Sequence, residues 1–405
     1  MTGDTGEGGQ AAGADAATGA DASAGAVFGG MSAVRYMLTV AYDGTEFCGW
    51  QKQEPPLAGV QAESDAEPSG ESSAGLALTG GAQPDGQASG AKVANASQPD
   101  GEIFGPRGPR GPERVAAMRA YAATTPLIPS DRAGRASLRT VQGVVERAVR
   151  EVVRERVELV GASRTDSGVH ARGQVCAFTS RPDGRGTGWP RERGPERLVM
   201  ALNARLDRDV LVRHAEVVQA GFNPIAGAVR KRYTYTFCAG GQRPLWDRGY
   251  VCWVKHGSLD AHAMHEAAQT LVGEHDFASF AATGHGRLST VRTVFACGVE
   301  LSPRPGAQGL DAQGLFSAED NAQRVVVTIE GNGFLWNMVR IVAGTLLRVG
   351  LGQRPTGWVS DALLARDRAS AGPTAPPTGL CLERIWYAEA GGVGSEAGPP
   401  RAQGA

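Results

Sequence analysis

The sequence lacks the features of membrane, secreted and disulfide-rich proteins. No run of about 18 or more apolar residues is present, so no transmembrane helix is expected. Residues 1–30 are acidic and rich in Gly and Ala, with neither the basic nor the apolar region of a signal peptide. The six Cys residues are scattered and form no CxxC pair. They indicate reduced, mostly buried thiols, and we expect a cytoplasmic protein.

Motifs for nucleotide cofactors and metals are also lacking. Neither GxxxxGK[ST] nor a GxGxxG that opens a helix occurs, so a nucleotide cofactor has no support. His262 and His265 share a predicted helix, but no HExxH motif or Cys/His cluster surrounds them. We interpret these histidines as part of a surface helix, and we expect neither a cofactor nor a metal.

Charge is unevenly distributed along the 405 residues, whose net charge is −1. Residues 1–30 contain four carboxylates and no Lys or Arg, and residues 54–100 contain seven carboxylates against Lys92 alone. The remainder therefore carries a net charge of +9, which permits nucleic-acid binding without requiring it. Residues 101–139 carry seven Arg against three acidic residues, which fits either a basic arm that contacts RNA or a solvated linker.

Low-complexity segments interrupt the chain and divide it into parts. Gly, Ala, Ser and acidic residues dominate these segments, which offer too little apolar surface to fold. We predict a disordered tail at 1–30, an N-terminal subdomain at 31–220 with a disordered insertion at about 54–139, a C-terminal subdomain at 221–387 with a low-complexity insertion at about 302–323, and a disordered tail at 388–405.

The spacing of apolar residues predicts both strands and helices. The predicted strands lie at 35–42, 157–160, 175–179, 231–237, 291–301 and 325–330, and the helices at 141–153, 198–206, 259–272 and 334–349. Both halves repeat the order strand, helix, strand, loop, strand. This indicates an α+β protein with two similar subdomains, each a mainly antiparallel sheet flanked by helices, and a basic cleft between them.

The densest polar cluster lies in a predicted loop, SRTDSGVH at 163–170. Asp166 stands two residues from Arg164, whose guanidinium is able to keep the carboxylate ionised. An ionised, oriented carboxylate serves as nucleophile or general base. The spacing also fits an Asp that only caps a turn through the following N–H groups, and by itself it favours that interpretation.

A basic and aromatic cluster follows at 230–235, RKRYTY. Its cations suit phosphates, and its tyrosines suit stacking on an unpaired base. Alternation places Tyr233 and Tyr235 on one face of a strand. Both side chains therefore fit either a core position or a stacking position.

The third cluster, GNGFLWNMVR at 331–340, opens a helix that is apolar almost all round. Arg340 is expected about two turns into this buried helix, where a guanidinium requires a carboxylate partner. Asp166 is one candidate, and Glu300, Glu330 or a helix-end carbonyl are the others.

At these clusters the chain resembles the tRNA pseudouridine synthase A family. The matching blocks keep the family's order and are YDGTEFCGWQKQ (42–53), TVQGVVERAV (140–149), RTDSGVHARGQV (164–175), RKRYTYTF (230–237), MHEAAQTLVGEHDFASF (264–280), GNGFLWNMVRIVAGTL (331–346) and LLARDRASAGPTAPPTGLCLERIWY (363–387). The pairing of RTDxGVHA with FLWNMVR is specific, and the blocks span most of 34–387 outside the insertions.

The resemblance implies isomerisation of uridine to pseudouridine at positions 38, 39 and 40 of the tRNA anticodon stem and loop. It implies a homodimer that binds tRNA and uses no cofactor or metal. The family's catalytic Asp falls on Asp166. By position, Arg164 displaces the target nucleotide, Tyr233 stacks on the uracil, and Arg340 pairs with Asp166.

Two departures and two alternatives accompany the resemblance. Ser163 and Ser167 stand where family members usually have Gly and Ala. A positive φ at position 163 would strain a Ser, but we expect that position only to tolerate a small side chain.

A non-catalytic tRNA-binding protein on the same scaffold is one alternative, although binding alone does not need Asp166. A nucleoside glycosidase, which would release free uracil, is the other.

Overall fold

The computed structural model describes residues 32–53, 138–255, 257–282, 288–302 and 322–388. The tails predicted at 1–30 and 388–405, and the insertions predicted at 54–139 and 302–323, lie wholly or almost wholly outside the described residues.

Strands in the described part of the chain form one ten-stranded sheet. They are β1 (Val34–Tyr42), β2 (Val160–Gly161), β3 (His170–Ser180), β4 (Val210–Val218), β5 (Ala228–Ala239), β6 (Cys252–Val254), β7 (Gly273–Asp276), β8 (Val291–Leu301), β9 (Gln323–Gly331) and β10 (Leu380–Tyr387). The order is β4-β1-β3-β10-β5-β9-β8-β7, with β2 paired to β3 and β6 to β5. The pairs are antiparallel, except that β10 runs parallel to β3 and β6 parallel to β5.

Five α-helices accompany this sheet in the described ranges. They are α1 (Val141–Val153), α2 (Pro195–Asn203), α3 (Ala261–Gln269), α4 (Met338–Gly350) and α5 (Trp358–Ala365). Helix α1 begins where the sequence predicts, because Thr140 caps it by accepting a hydrogen bond from the Gly143 N–H. Helix α4 is buried along nearly its whole length and forms much of the core.

The α+β class is confirmed, but the expected pair of separate sheets is not observed. Strand β10 lies between the two halves, with Cys381 opposite His170 of β3 and Leu380 opposite Tyr235 of β5. The sequence analysis predicted no strand at 380–387. Apolar spacing indicates that a segment is extended, but it does not indicate which strands become its neighbours.

Strand β5 shows the predicted alternation. Tyr233, Tyr235 and Phe237 are buried on one face, whereas Thr234 and Thr236 line a cavity of about 350 Å³ together with residues of β3 and β10. The register of β5 against β9 is continuous from Lys231 to Ala239. The aromatic face of β5 therefore belongs to the core that includes α4.

Helix α4 begins four residues later than predicted. Asn337 adopts the left-handed conformation with φ 60°, so Leu335 and Trp336 lie in a turn before the helix. Arg340 is consequently the third residue of α4, and the prediction that it lies two turns inside the helix was wrong. Its side chain is 16% exposed, since it reaches from the helix start towards the loop before β3.

Gly344 lets α4 pack closely on the chain that leads to β10. A Cβ on Gly344 would lie 1.8 Å from the carbonyl oxygen of Pro373. On this same stretch of chain, the Gly372 N–H donates a hydrogen bond to Thr345 Oγ1 at 2.9 Å. The helix and the 372–375 segment therefore approach each other backbone to backbone.

We expect Gly344→Ala to destabilise the protein by about 1–3 kcal/mol or more, because the obstacle is backbone rather than a flexible side chain. Urea unfolding of the full chain measures the change. Gly357→Ala is the matched control, since a Cβ there meets nothing within 4 Å. An equal free energy of unfolding for both variants would contradict this packing.

Candidate active site

The loop that carries Asp166 is held by the segment that follows β1. The Trp50 N–H donates to the Thr165 carbonyl at 3.0 Å, and the Ser167 hydroxyl donates to the Phe47 carbonyl at 2.8 Å. Below the loop, the Tyr42 and Thr165 hydroxyls lie 2.7 Å apart. These bonds fix the residues on either side of Asp166.

Close approach between these two segments depends on Gly49. Its φ is +100°, and a Cβ on it would lie 2.7 Å from the Thr165 carbonyl oxygen. Residues 47–50 stand within the matching block at 42–53, but their spacing predicts no structural role. Their signal was Gly49, because a Gly allows a positive φ and a close approach of another backbone segment.

The Asp166 carboxylate points across the loop to the start of α4. Its Oδ2 lies 3.4 Å from Arg340 Nη1, and its Oδ1 accepts a hydrogen bond from Trp336 Nε1 at 3.2 Å. Arg340 also donates to Asn337 Oδ1 at 2.8 Å and to the Ala375 carbonyl at 2.7 Å. Because its oxygens receive side-chain donors from α4 and the turn before it, the carboxylate does more than cap a turn.

Glu330, the alternative partner for Arg340, is occupied elsewhere. It receives Arg232 Nε at 2.6 Å and Arg230 Nη1 at 3.2 Å. The basic run at 230–232 is therefore partly neutralised in the free protein. Glu300, the remaining acidic candidate, is exposed on β8.

Tyr233 is buried in the free protein and lies within electrostatic range of Asp166. Its hydroxyl is 3.0 Å from Ser163 Oγ, and its ring meets Phe334 edge to face with centroids 5.3 Å apart. The pKa of Tyr233 is raised to about 12, mainly by burial. The negative charge of Asp166 also raises this pKa, whereas the hydrogen bond with Ser163 lowers it. The phenol is therefore protonated at neutral pH.

Tyr235 is a core residue, as one of the two interpretations predicted. It is fully buried, and its hydroxyl donates to the Pro376 carbonyl at 2.8 Å.

Ser163 is accommodated without backbone strain. Among the described non-glycine residues, positive φ occurs at Arg154, Asn337 and Arg366, not at Ser163. Its hydroxyl also accepts a hydrogen bond from Lys231 Nζ at 3.3 Å. Position 163 therefore does not require a positive φ.

The Arg164 side chain points into solvent and takes no part in the contact between Asp166 and Arg340. It is exposed and forms no ion pair with any side chain of the described ranges. Its guanidinium is thus available to a ligand next to Asp166.

Comparison with known proteins identifies relatives of this chain. A family model described as tRNA pseudouridine synthase matches residues 267–388. The tRNA pseudouridine synthase A of Thermoanaerobacter sp. strain X514 is 40% identical over 248 residues, which cover 61% of this chain and 90% of that protein. The corresponding proteins of Geobacter sulfurreducens and Oenococcus oeni are 38% and 33% identical, over 61% and 62% of this chain and 90% of each relative.

The chain belongs to the tRNA pseudouridine synthase A family. Within the part that the structure describes, no helix is long and apolar enough to span a bilayer. In that same part, no group of three or more His, Cys, Asp or Glu side chains is arranged to hold a metal.

In this family member, His170 at the end of the RTDSGVH motif joins the two halves of the chain. Its Nδ1 accepts a hydrogen bond from the Gly44 N–H at 3.0 Å, and its Nε2 lies 2.9 Å from the Gly249 carbonyl. Asp43 Oδ1 is 3.2 Å from Nδ1, which by itself would favour the imidazolium. Burial outweighs this charge and lowers the pKa of His170, so the neutral ring is the form that the structure holds.

This arrangement predicts an acid-sensitive contribution to stability. Since burial lowers the pKa of His170 in the folded state, the unfolded chain binds the proton more readily. The contribution of His170 to the free energy of unfolding is complete above about pH 6.5, the pKa of histidine in the unfolded chain. It falls as the pH decreases below that value. The free energy of unfolding should therefore drop more between about pH 7 and about pH 5.5 in the wild type than in His170→Asn.

Urea unfolding at both pH values measures the difference. His262→Asn, on the exposed face of α3, is the control and should behave as the wild type. The same pH dependence in the wild type and His170→Asn would show that His170 is not the group responsible.

Proposed function

We propose that this protein isomerises uridine to pseudouridine at positions 38, 39 and 40 in the anticodon stem and loop of tRNA. The observation that carries the proposal is the Asp166 carboxylate, which lies between Arg340 and Trp336 and within electrostatic range of Tyr233. The family relatives that share this chain's sequence are named tRNA pseudouridine synthase A.

The reaction rearranges one nucleotide without adding or removing atoms overall. The bond between N1 of uracil and C1′ of the ribose breaks, the base rotates, and C5 bonds to C1′. The proton on C5 is lost, and N1 gains one. Asp166 supplies the carboxylate nucleophile for this rearrangement.

Arg340 keeps that carboxylate in place. Its contacts to Asn337 and Ala375 fix the guanidinium independently of Asp166. The pair is partly buried, so solvent screens it less than it screens a surface ion pair. The carboxylate is therefore oriented before a substrate arrives.

Arg164 and Tyr233 act on the nucleotide itself. Arg164 is exposed beside Asp166, where it enters the stem and takes the place of the displaced target nucleotide. Displacement costs a few kcal/mol, which phosphate contacts from other cations offset. Tyr233 then stacks on the uracil and helps to hold it next to Asp166.

tRNA is the proposed partner, and the family resemblance suggests a homodimer whose subunits both contact it. We also propose a cytoplasmic location. All six Cys side chains are free thiols, four of them buried, which suits a reducing compartment.

Asp166→Ala and Asp166→Asn should abolish turnover while tRNA binding survives, because the carboxylate makes no phosphate contact. Tritium release from tRNA that carries 5-tritiated uridine measures turnover, and filter binding measures affinity. Retained turnover in both variants would end the assignment of Asp166. Free uracil as the wild-type product would identify a glycosidase, and tRNA binding without wild-type turnover would identify a binding protein.

Tyr233→Phe should keep the stacking face and lose little tRNA affinity, whereas Tyr233→Ala should weaken binding by about 1–3 kcal/mol. Affinity is measured by filter binding below the unfolding temperature of each variant. Tyr235→Phe is the matched control, because it removes a buried hydroxyl from the same face of the same strand. Equal losses for Tyr233→Phe and Tyr233→Ala would contradict stacking.

A further inference from the structure

Trp336 is a large aromatic side chain that the proposed function does not use. It is 50% exposed, although Leu335 and Met338 on either side are buried. The sequence analysis included it in a buried helix. The structure instead places it in the turn before α4, against the Asp166 carboxylate.

The backbone of Trp336 is fixed, while half of its side chain faces solvent. Its carbonyl accepts a hydrogen bond from the Ala282 N–H at 3.0 Å, and Asn337 after it has the left-handed conformation that ends the turn. The indole makes one described hydrogen bond, from Nε1 to Asp166 Oδ1 at 3.2 Å. Rotation about the side-chain bonds therefore moves the ring without disturbing the fold.

The two oxygens of Asp166 differ in how readily they become free. Oδ2 faces Arg340, which is largely buried and also bonded to Asn337 and Ala375. Oδ1 faces the half-exposed indole of Trp336. A nucleotide that reaches this carboxylate therefore displaces the Trp336 N–H more easily than the guanidinium.

We propose that Trp336 is a substrate-contact residue that covers Asp166 Oδ1 in the free protein and stacks on the target nucleotide when that nucleotide enters. This inference rests on the proposed function, because it takes a uridine displaced from its stack as the ligand. An indole offers a wide π face, half of which is already in solvent, and bases of any sequence stack on such a face. The displaced nucleotide has lost its own stacking partners and regains one here.

The test uses an RNA anticodon stem–loop with one target uridine, and the same RNA with an abasic residue in its place. Trp336→Ala removes both the N–H donor and the ring, whereas Trp336→Phe removes the donor and keeps a ring. Trp246→Ala is the matched control, because Trp246 is 88% exposed and makes no described contact with Asp166.

Trp336→Ala should raise the Kd for the uridine stem–loop at least about fivefold, with a smaller rise for Trp336→Phe and none for Trp246→Ala. With the abasic RNA, the wild type and Trp336→Ala should bind equally. At saturating RNA, Trp336→Phe should keep a larger share of the wild-type conversion rate than Trp336→Ala, because the hydrogen bond from Trp336 to Asp166 is already broken in the complex and Phe keeps a ring for the base.

If the wild type releases tritium, three results would overturn the inference. One is an unchanged Kd of Trp336→Ala for the uridine stem–loop, and another is an equal loss of affinity of Trp336→Ala for the abasic RNA. The third is that Trp336→Phe binds with an unchanged Kd but converts uridine slowly at saturating RNA, which would make Trp336 a positioning residue for Asp166. A wild type that releases no tritium would instead overturn the proposed function, so the two failures are distinguishable.

Discussion

The contact between Asp166 and Arg340 joins two parts of the chain that lie 174 residues apart in sequence. The guanidinium is 16% exposed and the carboxylate 35% exposed, so water satisfies each of them only in part. They pair because the loop before β3 and the start of α4 arrive at one place. Strand β10 makes this meeting possible, because it pairs with β3 on one side and β5 on the other.

Close backbone approaches then set the positions of the two groups. Gly49 brings the 47–50 segment against the carbonyl of Thr165, next to Asp166. Gly344 seats α4 on the carbonyl of Pro373, and Ala375 of that segment holds Arg340. A Cβ at either glycine would clash with these carbonyl oxygens, so one partner of the pair would have to shift.

Much of the local structure could be predicted from residue spacing. The strand at 291–301 and the helix at 141–153 match the structure residue for residue. In the helix, the apolar period continues over the whole length. The start of α4 could not be predicted in this way. Residues 334–336 are apolar like the helix that follows, but the left-handed conformation of Asn337 excludes them from it.

The candidate site was predictable in its members but not in all its contacts. The sequence pointed to Asp166, Tyr233 and Arg340 as chemically unusual, and the structure places them together. Nothing in the spacing indicated that Glu330 would hold the arginines of the 230–232 run, or that Trp336 would be exposed. The ion pairs of Glu330 depend on which strands are neighbours, and the exposure of Trp336 depends on the turn before α4. The spacing of residues along the sequence specifies neither of them.

The amino-acid sequence by itself determined the class of fold, the main strands and helices, and the set of side chains able to do chemistry. Propensity, periodicity and residue type are local properties, so they are readable without coordinates. Only the tertiary structure decided that the halves share one sheet, which carboxylate meets Arg340, and which oxygen of Asp166 faces a movable side chain. Each of these depends on which backbone segments approach one another in space, and that choice follows from the packing of the whole core.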